Sequence, residues 1–191
     1  MIYEYGLMLA GGALVAVLLC ILVVVYRRRR GGTADLLRKI GVELMQDTLL
    51  PDAMGGQIHL RHVLLTAKGI LVLDIKTFGG RVFASDRMDE WTLISGTQRF
   101  TFPNPQPALY DRVAAIKAVV RDVPVTGHIL FLEGAEFTKG SPKGVIFPDE
   151  LLNRYAKPEA VELERLIEAF HPHWEKVQQA SVPAPRAPNR V

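Results

Sequence analysis

Residues 57–80 read QIHLRHVLLTAKGILVLDIKTFGG. Two apolar runs, Gln57–Thr66 and Ile70–Lys76, flank Ala67-Lys68-Gly69, which is the pattern of a β-hairpin closed by a glycine turn. In the second run Asp74 and Lys76 are two residues apart, and the strand period of two puts both on one face. A carboxylate there can bind a divalent metal. An ammonium group beside it can orient a water or stabilise charge that develops on a phosphate. Taken alone, an Asp-x-Lys triplet is the ordinary make-up of a solvated strand face, so its meaning depends on its surroundings.

Upstream of the hairpin, Thr33 suits the N-cap of a helix running to about Thr48, with Leu36, Leu37, Ile40 and Leu44 at helical spacing. Pro51 to Gly56 reads as a loop. Downstream, Gly79 and Gly80 turn the chain into a third strand near Arg81–Ala84, and Trp91–Ile94 with Arg99–Phe102 read as a smaller hairpin around Gly96. Pro103 and Pro105 break the chain ahead of a second helix, Ala108–Arg121, which carries Leu109, Val113, Ile116 and Val120 on one face. Val125–Leu132 is continuously apolar, as a buried central strand would be. A short strand, Gly144–Phe147, precedes helices at Glu150–Tyr155 and Glu159–Val177, the latter with Leu163, Leu166, Ile167 and Phe170 inward. The tail ASVPAPRAPNRV, residues 180–191, has the Pro- and Ala-rich make-up of a disordered segment.

The opposite end of the chain has a different character. Gly6–Tyr26 contains twenty-one residues without a charge, followed at once by Arg27, Arg28, Arg29 and Arg30. About 20 apolar residues span a bilayer as a helix, and positive flanks stay in the cytoplasm. The expectation is a single-pass anchor in the lipid bilayer, with the N-terminus outside and the domain cytoplasmic. A cleaved signal peptide carries its positive charge before the apolar run, the reverse of the order here. The domains are expected as 1–30 anchor and basic stop, 31–179 soluble domain and 180–191 tail. The single cysteine, Cys20, lies in the apolar run, so no intramolecular disulfide exists.

The net charge of +3 is set by the ends. Without Glu4, the four arginines, Arg186 and Arg190, residues 31–180 hold 17 Lys and Arg against 19 Asp and Glu, a balance of −2. Tight nucleic-acid binding draws mostly on phosphate neutralisation, so this balance weighs against it. His128, His171 and His173 lack paired ligand spacing. The His-x-His beside Pro172 reads as a polar cap at a helix C-terminus, and no phosphate-binding G-x-x-x-x-G-K-[ST] occurs.

The stretch from Gln57 to Gly80 resembles the core of the NERD domain, a nuclease-related domain of the PD-(D/E)XK nuclease superfamily. The match rests on His62, Gly69, Asp74 in place of the family's Glu, Lys76 and Gly80. Gly41-Val42-Glu43 stands where the family carries Gly-Glu, and Trp91 and Asn104-Pro105 match further on. The resemblance covers about residues 36–132. It implies an α/β, restriction-endonuclease-like αβββαβ domain with a mixed sheet, following the N-terminal transmembrane helix. It also implies a metal-dependent nuclease, with Glu43, Asp74 and Lys76 as the site and Asp74 and Glu43 as ligands of Mg²⁺.

The departures from the family pattern concern the same site. Counted back from the Gly69 turn, the family's metal-binding Asp falls on Arg61. Matched on the local letters Gln-Ile, it falls on His59. Both lie on one strand face and neither is a carboxylate. Where the second helix of the family carries a Gln after Asn-Pro, Ala108 and Leu109 stand here. Three functions follow as expectations: a membrane-anchored module with a degenerate metal site that binds nucleic acid or a protein partner; an active Mg²⁺-dependent nuclease acting on DNA or RNA at the membrane; and a structural scaffold. On the first, the Arg61 guanidinium is expected to fill the metal's place between Asp74 and Glu43.

Overall fold

The computed structural model describes residues 32–52, 55–132 and 134–185. The chain divides into two compact units, Met1–Leu36 and Leu37–Val191. Of the first, the described residues are the opening turn of a helix, α1, over residues 32–40. The apolar run Gly6–Tyr26 and the arginines after it lie outside the described residues. Among the described residues, no helix is long and apolar enough to cross a membrane.

The second unit is an α/β domain with two mixed sheets. The larger has strand order β10-β1-β2-β3-β7-β9, built from β1 (Gly41–Pro51), β2 (Gln57–Thr66), β3 (Gly69–Lys76), β7 (Val125–Phe131), β9 (Val145–Ile146) and β10 (Val182–Pro183). β1, β2 and β3 are antiparallel neighbours, whereas β7 runs parallel to β3. The smaller sheet has order β6-β5-β4-β8, from β4 (Gly80–Phe83), β5 (Glu90–Ser95), β6 (Gln98–Pro103) and β8 (Ala135–Phe137). Helices α2 (Gln106–Val119), α3 (Pro148–Arg154) and α4 (Ala160–Ala180) complete the unit.

The hairpin that opened the sequence reading forms as expected. Gly69, at φ +98°, turns it, and Thr66 Oγ1 donates to Gly69 O at 2.8 Å. A Cβ at Gly69 would meet Pro124 O at 2.3 Å, so the turn also needs glycine for the close pass of the neighbouring chain. The register pairs Leu65 with Ile70 and Val63 with Val72. These four, with Val125 and Ile129, are buried on one face, which α2 covers: a Cβ at Gly127 would meet Val113 and Leu109. Leu64, Leu71, Leu73 and Leu130 are buried on the other face. A sheet buried on both faces reads as continuous apolar runs, as β3 does from Ile70 to Leu73.

The first helix departs from expectation. It ends at residue 40, and Gly41–Pro51 is a strand rather than the helix's second half. Gly41 is the break, because a Cβ there would meet Leu64 Cδ2 at 2.6 Å. The Glu, Leu, Met and Gln that follow are good helix formers, but pairing with β2 from Gly41 to Pro51 overrides that preference. The three antiparallel strands of the main sheet are therefore β1, β2 and β3, whereas the strand expected third, β4, belongs to the smaller sheet. Two further corrections follow. Pro172 lies inside α4 and does not end it. The fully buried Trp174 and Val177 anchor the helix beyond that break. The tail expected to be disordered begins with built structure: Leu49 pairs with Val182, and Ala184 N donates to Asp47 O at 2.8 Å.

Candidate functional site

Asp74 lies near the C-terminal end of β3, and its register with Ile129 turns it to the α2 face of the sheet. It is 7% exposed, a buried acid in an apolar strand. Buried carboxylates need partners, and it has two. Lys76 Nζ lies 3.2 Å from Oδ1, and Arg112 Nη1, reaching down from α2, lies 3.6 Å from Oδ2. Arg112 is held from a second direction, since its Nε donates to the His59 carbonyl at 2.9 Å. One carboxylate thus sits between two cations, a local charge of +1.

Arg112 escaped the sequence reading, although a signal for it existed. It stands three residues after Leu109 and four before Ile116, both buried, so it lies on the helix face turned to the sheet. Arg61, expected to be the compensating cation, is not. The hairpin register, carried one residue past His62↔Leu73, does put it opposite Asp74. Its side chain is exposed, however, and among the described residues it joins no ion pair. On β1 the position opposite it is Asp47, which has φ +47° within a register that otherwise runs unbroken from Glu43↔Leu65 to Pro51↔Gln57. His59 contributes its carbonyl to Arg112, while its ring Nε2 lies 3.2 Å from Asp47. His62 is half-buried, and its pKa is lowered first by burial, with Asp47 and Asp74 acting in the opposite sense and Arg61 in the same one.

The expected second carboxylate is elsewhere. Glu43 is on β1, not on a helix, and faces the same side of the sheet as Asp74. It lies opposite Leu65 and hence in the row of Ile70, two strands over and four residues back from Asp74. At about 4.8 Å per strand and 3.4 Å per residue, the two Cα atoms are roughly 16 Å apart. Glu43 instead accepts hydrogen bonds from α4: Trp174 Nε1 donates at 2.7 Å, and His171 Nε2 lies at 3.1 Å. His171, read from sequence as a C-terminal cap, is thus mid-helix and faces β1. The structure brings Asp74 and Lys76 together and separates Glu43 from them.

Two further polar clusters are structural ties that the sequence did not reveal. Gln106, 3% exposed, donates from Nε2 to Asp86 Oδ1 at 2.8 Å and to Lys143 O at 2.9 Å. It pins the start of α2, and its hydrogen bond to Asp86, with a second donated by the Lys143 backbone N–H at 2.8 Å, holds the Asp86 carboxyl below its usual range. On the far face, Tyr155 OH lies 2.9 Å from both Thr126 Oγ1 and His128 Nε2. Burial, reinforced by Arg154, lowers the His128 pKa, and burial raises that of Tyr155.

Among the described residues, no group of three or more His, Cys, Asp or Glu side chains is placed to hold a metal ion. Comparison with curated proteins and with solved structures gives no match. The family model described as NERD, nuclease-related domain, matches residues 32–132, more than half of the 191-residue chain. That span runs from α1 to the end of β7 and contains Asp74, Lys76 and Arg112. The chain belongs to the family of nuclease-related NERD domains.

Proposed function

We propose that this chain is a membrane-tethered, non-cleaving NERD module. In this reading the catalytic site is degenerate, and its Asp74–Lys76–Arg112 cluster serves to bind nucleic acid. One observation carries it: the carboxylate that would hold Mg²⁺ is flanked by Lys76 at 3.2 Å and Arg112 at 3.6 Å. Lys76 has its place beside such a metal, but a divalent ion on Asp74 would also lie within a few ångströms of the Arg112 guanidinium, where like charges repel strongly at low dielectric. Glu43 is two strands away, and where the resemblance puts the family's aspartate this chain has Arg61, or His59 on the alternative match. These residues do not fit a catalytic Mg²⁺. They do fit a phosphate: Lys76 and Arg112 together have more N–H donors than Asp74 and the His59 carbonyl engage. The tether rests on the charge-free run Gly6–Tyr26 and the arginines after it.

The test is incubation of the chain with single- and double-stranded DNA and RNA, with and without Mg²⁺ or Mn²⁺. The expected result is binding without cleavage, and no metal-dependent rise in Tm. Asp74→Asn is expected to tighten nucleic-acid binding severalfold, because it removes the anion between the two cations, and to leave cleavage absent. Metal-dependent cleavage that Asp74→Asn abolishes would replace this reading with the active nuclease.

A further inference from the structure

The loops that leave the C-terminal ends of the parallel pair β3 and β7 both line one cavity of about 800 Å³. Its walls are Phe78 and Gly79 after β3, Gly134 after β7, and Leu93, Ser95, Phe100 and Phe102 from the β5–β6 hairpin. In open α/β sheets this is where ligands bind, outside the carboxyl ends of the parallel strands. The volume is that of a small-molecule site.

Ring contacts connect the cavity wall to the strand pair that carries Lys76. Lys76 is paired in register with Phe131. The Phe131 ring lies edge-to-face on Phe78 at 5.7 Å between centroids, and Phe78 does the same on Phe102 at 5.2 Å. Lys76 is therefore one aromatic ring away from the cavity wall. Within the wall the rings differ. Phe78 and Phe102 are half-buried and locked by these contacts. Phe100 is 50% exposed and makes no ring pair among the described residues. It is a large aromatic surface in the cavity wall. Opposite it, Gly134 leaves open space, with nothing within 4 Å of where its Cβ would be.

We propose that this slot takes an unpaired nucleobase, stacked on Phe100, with the adjoining phosphate on the free donors of Lys76 and Arg112. The inference rests on the nucleic-acid reading above and narrows it to single strands. A flat apolar wall selects a π face. The neighbouring charge of +1 selects the phosphate that comes with a base and disfavours an uncharged apolar guest. A base paired in a duplex cannot enter the slot without leaving its stack, so duplexes bind more weakly. The domain's balance of −2 leaves little non-specific attraction, so stacking supplies the larger share of affinity.

The experiment uses the 191-residue chain in neutral-lipid nanodiscs and reads the fluorescence anisotropy of three labelled probes: a 12-nucleotide oligothymidylate, an abasic strand of equal charge and a duplex of equal length. The single strand is expected to bind at least tenfold more tightly than the abasic strand. Phe100→Ala should weaken it by about five- to one-hundred-fold, the loss of one stacked base, with little change in salt dependence. Gly134→Leu fills the slot from the other side and should act the same way, while both variants keep the wild-type Tm within a few degrees. Equal affinity for the abasic strand, or no effect of either variant, would overturn the slot while leaving the Lys76–Arg112 reading intact, provided Lys76→Ala still weakens binding. Absence of binding to all three probes would overturn both readings. Displacement of a fluorescent fatty acid by Gly134→Leu, with oligonucleotide binding unchanged, would assign the slot to a lipid chain instead.

Discussion

Glu43 shows how much a residue's meaning depends on its element. In the sequence it is the acid of a Gly-Val-Glu that aligns with a catalytic position. In the fold it accepts the indole N–H of the fully buried Trp174 at 2.7 Å and so fastens α4 to β1. Glu43→Ala leaves that N–H without an acceptor, which costs about 1–3 kcal/mol. Urea denaturation should register the loss, with nucleic-acid binding unchanged, whereas a metal ligand would show the opposite pattern. His128 gives a second test at this scale. Its pKa is lowered from 6.5, chiefly by burial and then by Arg154, against the Gly144 carbonyl and Glu150. The folded state thus binds fewer protons than the unfolded chain just below pH 6.5. Its stabilising contribution is complete above that value and is lost as the pH falls toward the folded pKa. Stability measured from pH 7 down to pH 5 should decline, and His128→Gln should flatten the decline. A residual slope is expected from His62, which is lowered in the same direction. Asp86, an acid shifted downward from 3.8, titrates below this window.

At the scale of elements, α2 is the decisive one, because it delivers Arg112. Its distance from the sheet is set at Gly127, where a Cβ would come within 2.7 Å of Val113 Cγ2 and about 3 Å of Leu109. Val113 is β-branched and cannot swing away cheaply. Gly127→Ala should therefore push α2 outward, cost about 1–3 kcal/mol by overpacking, and part Arg112 from Asp74. Calorimetry reads the first effect, and weaker binding of the single-stranded probe reads the second. The sequence made α2 legible, along with β2, β3, β7 and the smaller hairpin, because each has a clean period or a glycine turn. It misled at β1, where helix-forming residues are recruited into a strand by pairing with β2. It did not expose β8, three residues long, or the docking of Val182–Pro183 on β1. Both depend on neighbours distant in sequence. The site was legible to the same extent. Asp74 and Lys76 share a strand and could be read from spacing. Arg112 comes from another element, and its approach to Asp74 is a property of packing.

At the scale of the molecule, charge is divided along the chain in a way that gives its last prediction. Residues 31–180 are near neutral at −2, and the basic residues that raise the whole to +3 stand at the ends, four of them directly after the apolar run. On the proposed tether, a basic cluster in that position would set the orientation of insertion, since translocating four guanidinium groups is far more costly than translocating Glu4 and the N-terminal amine. The domain that carries Asp74, Lys76 and Phe100 would then face the cytoplasm, the compartment that holds RNA and, in a cell without a nucleus, DNA. A reporter enzyme active only in the cytoplasm, fused after Val191, should be active, and one active only outside should be silent. Replacing Arg27–Arg30 with four glutamines, and adding two lysines after Met1, should reverse the pair or mix the two orientations. If the parent fusion is active only outside, the tether is inverted. If both fusions fractionate away from the membrane, Gly6–Tyr26 is not a span, and the module's access to single strands is not limited to the membrane surface.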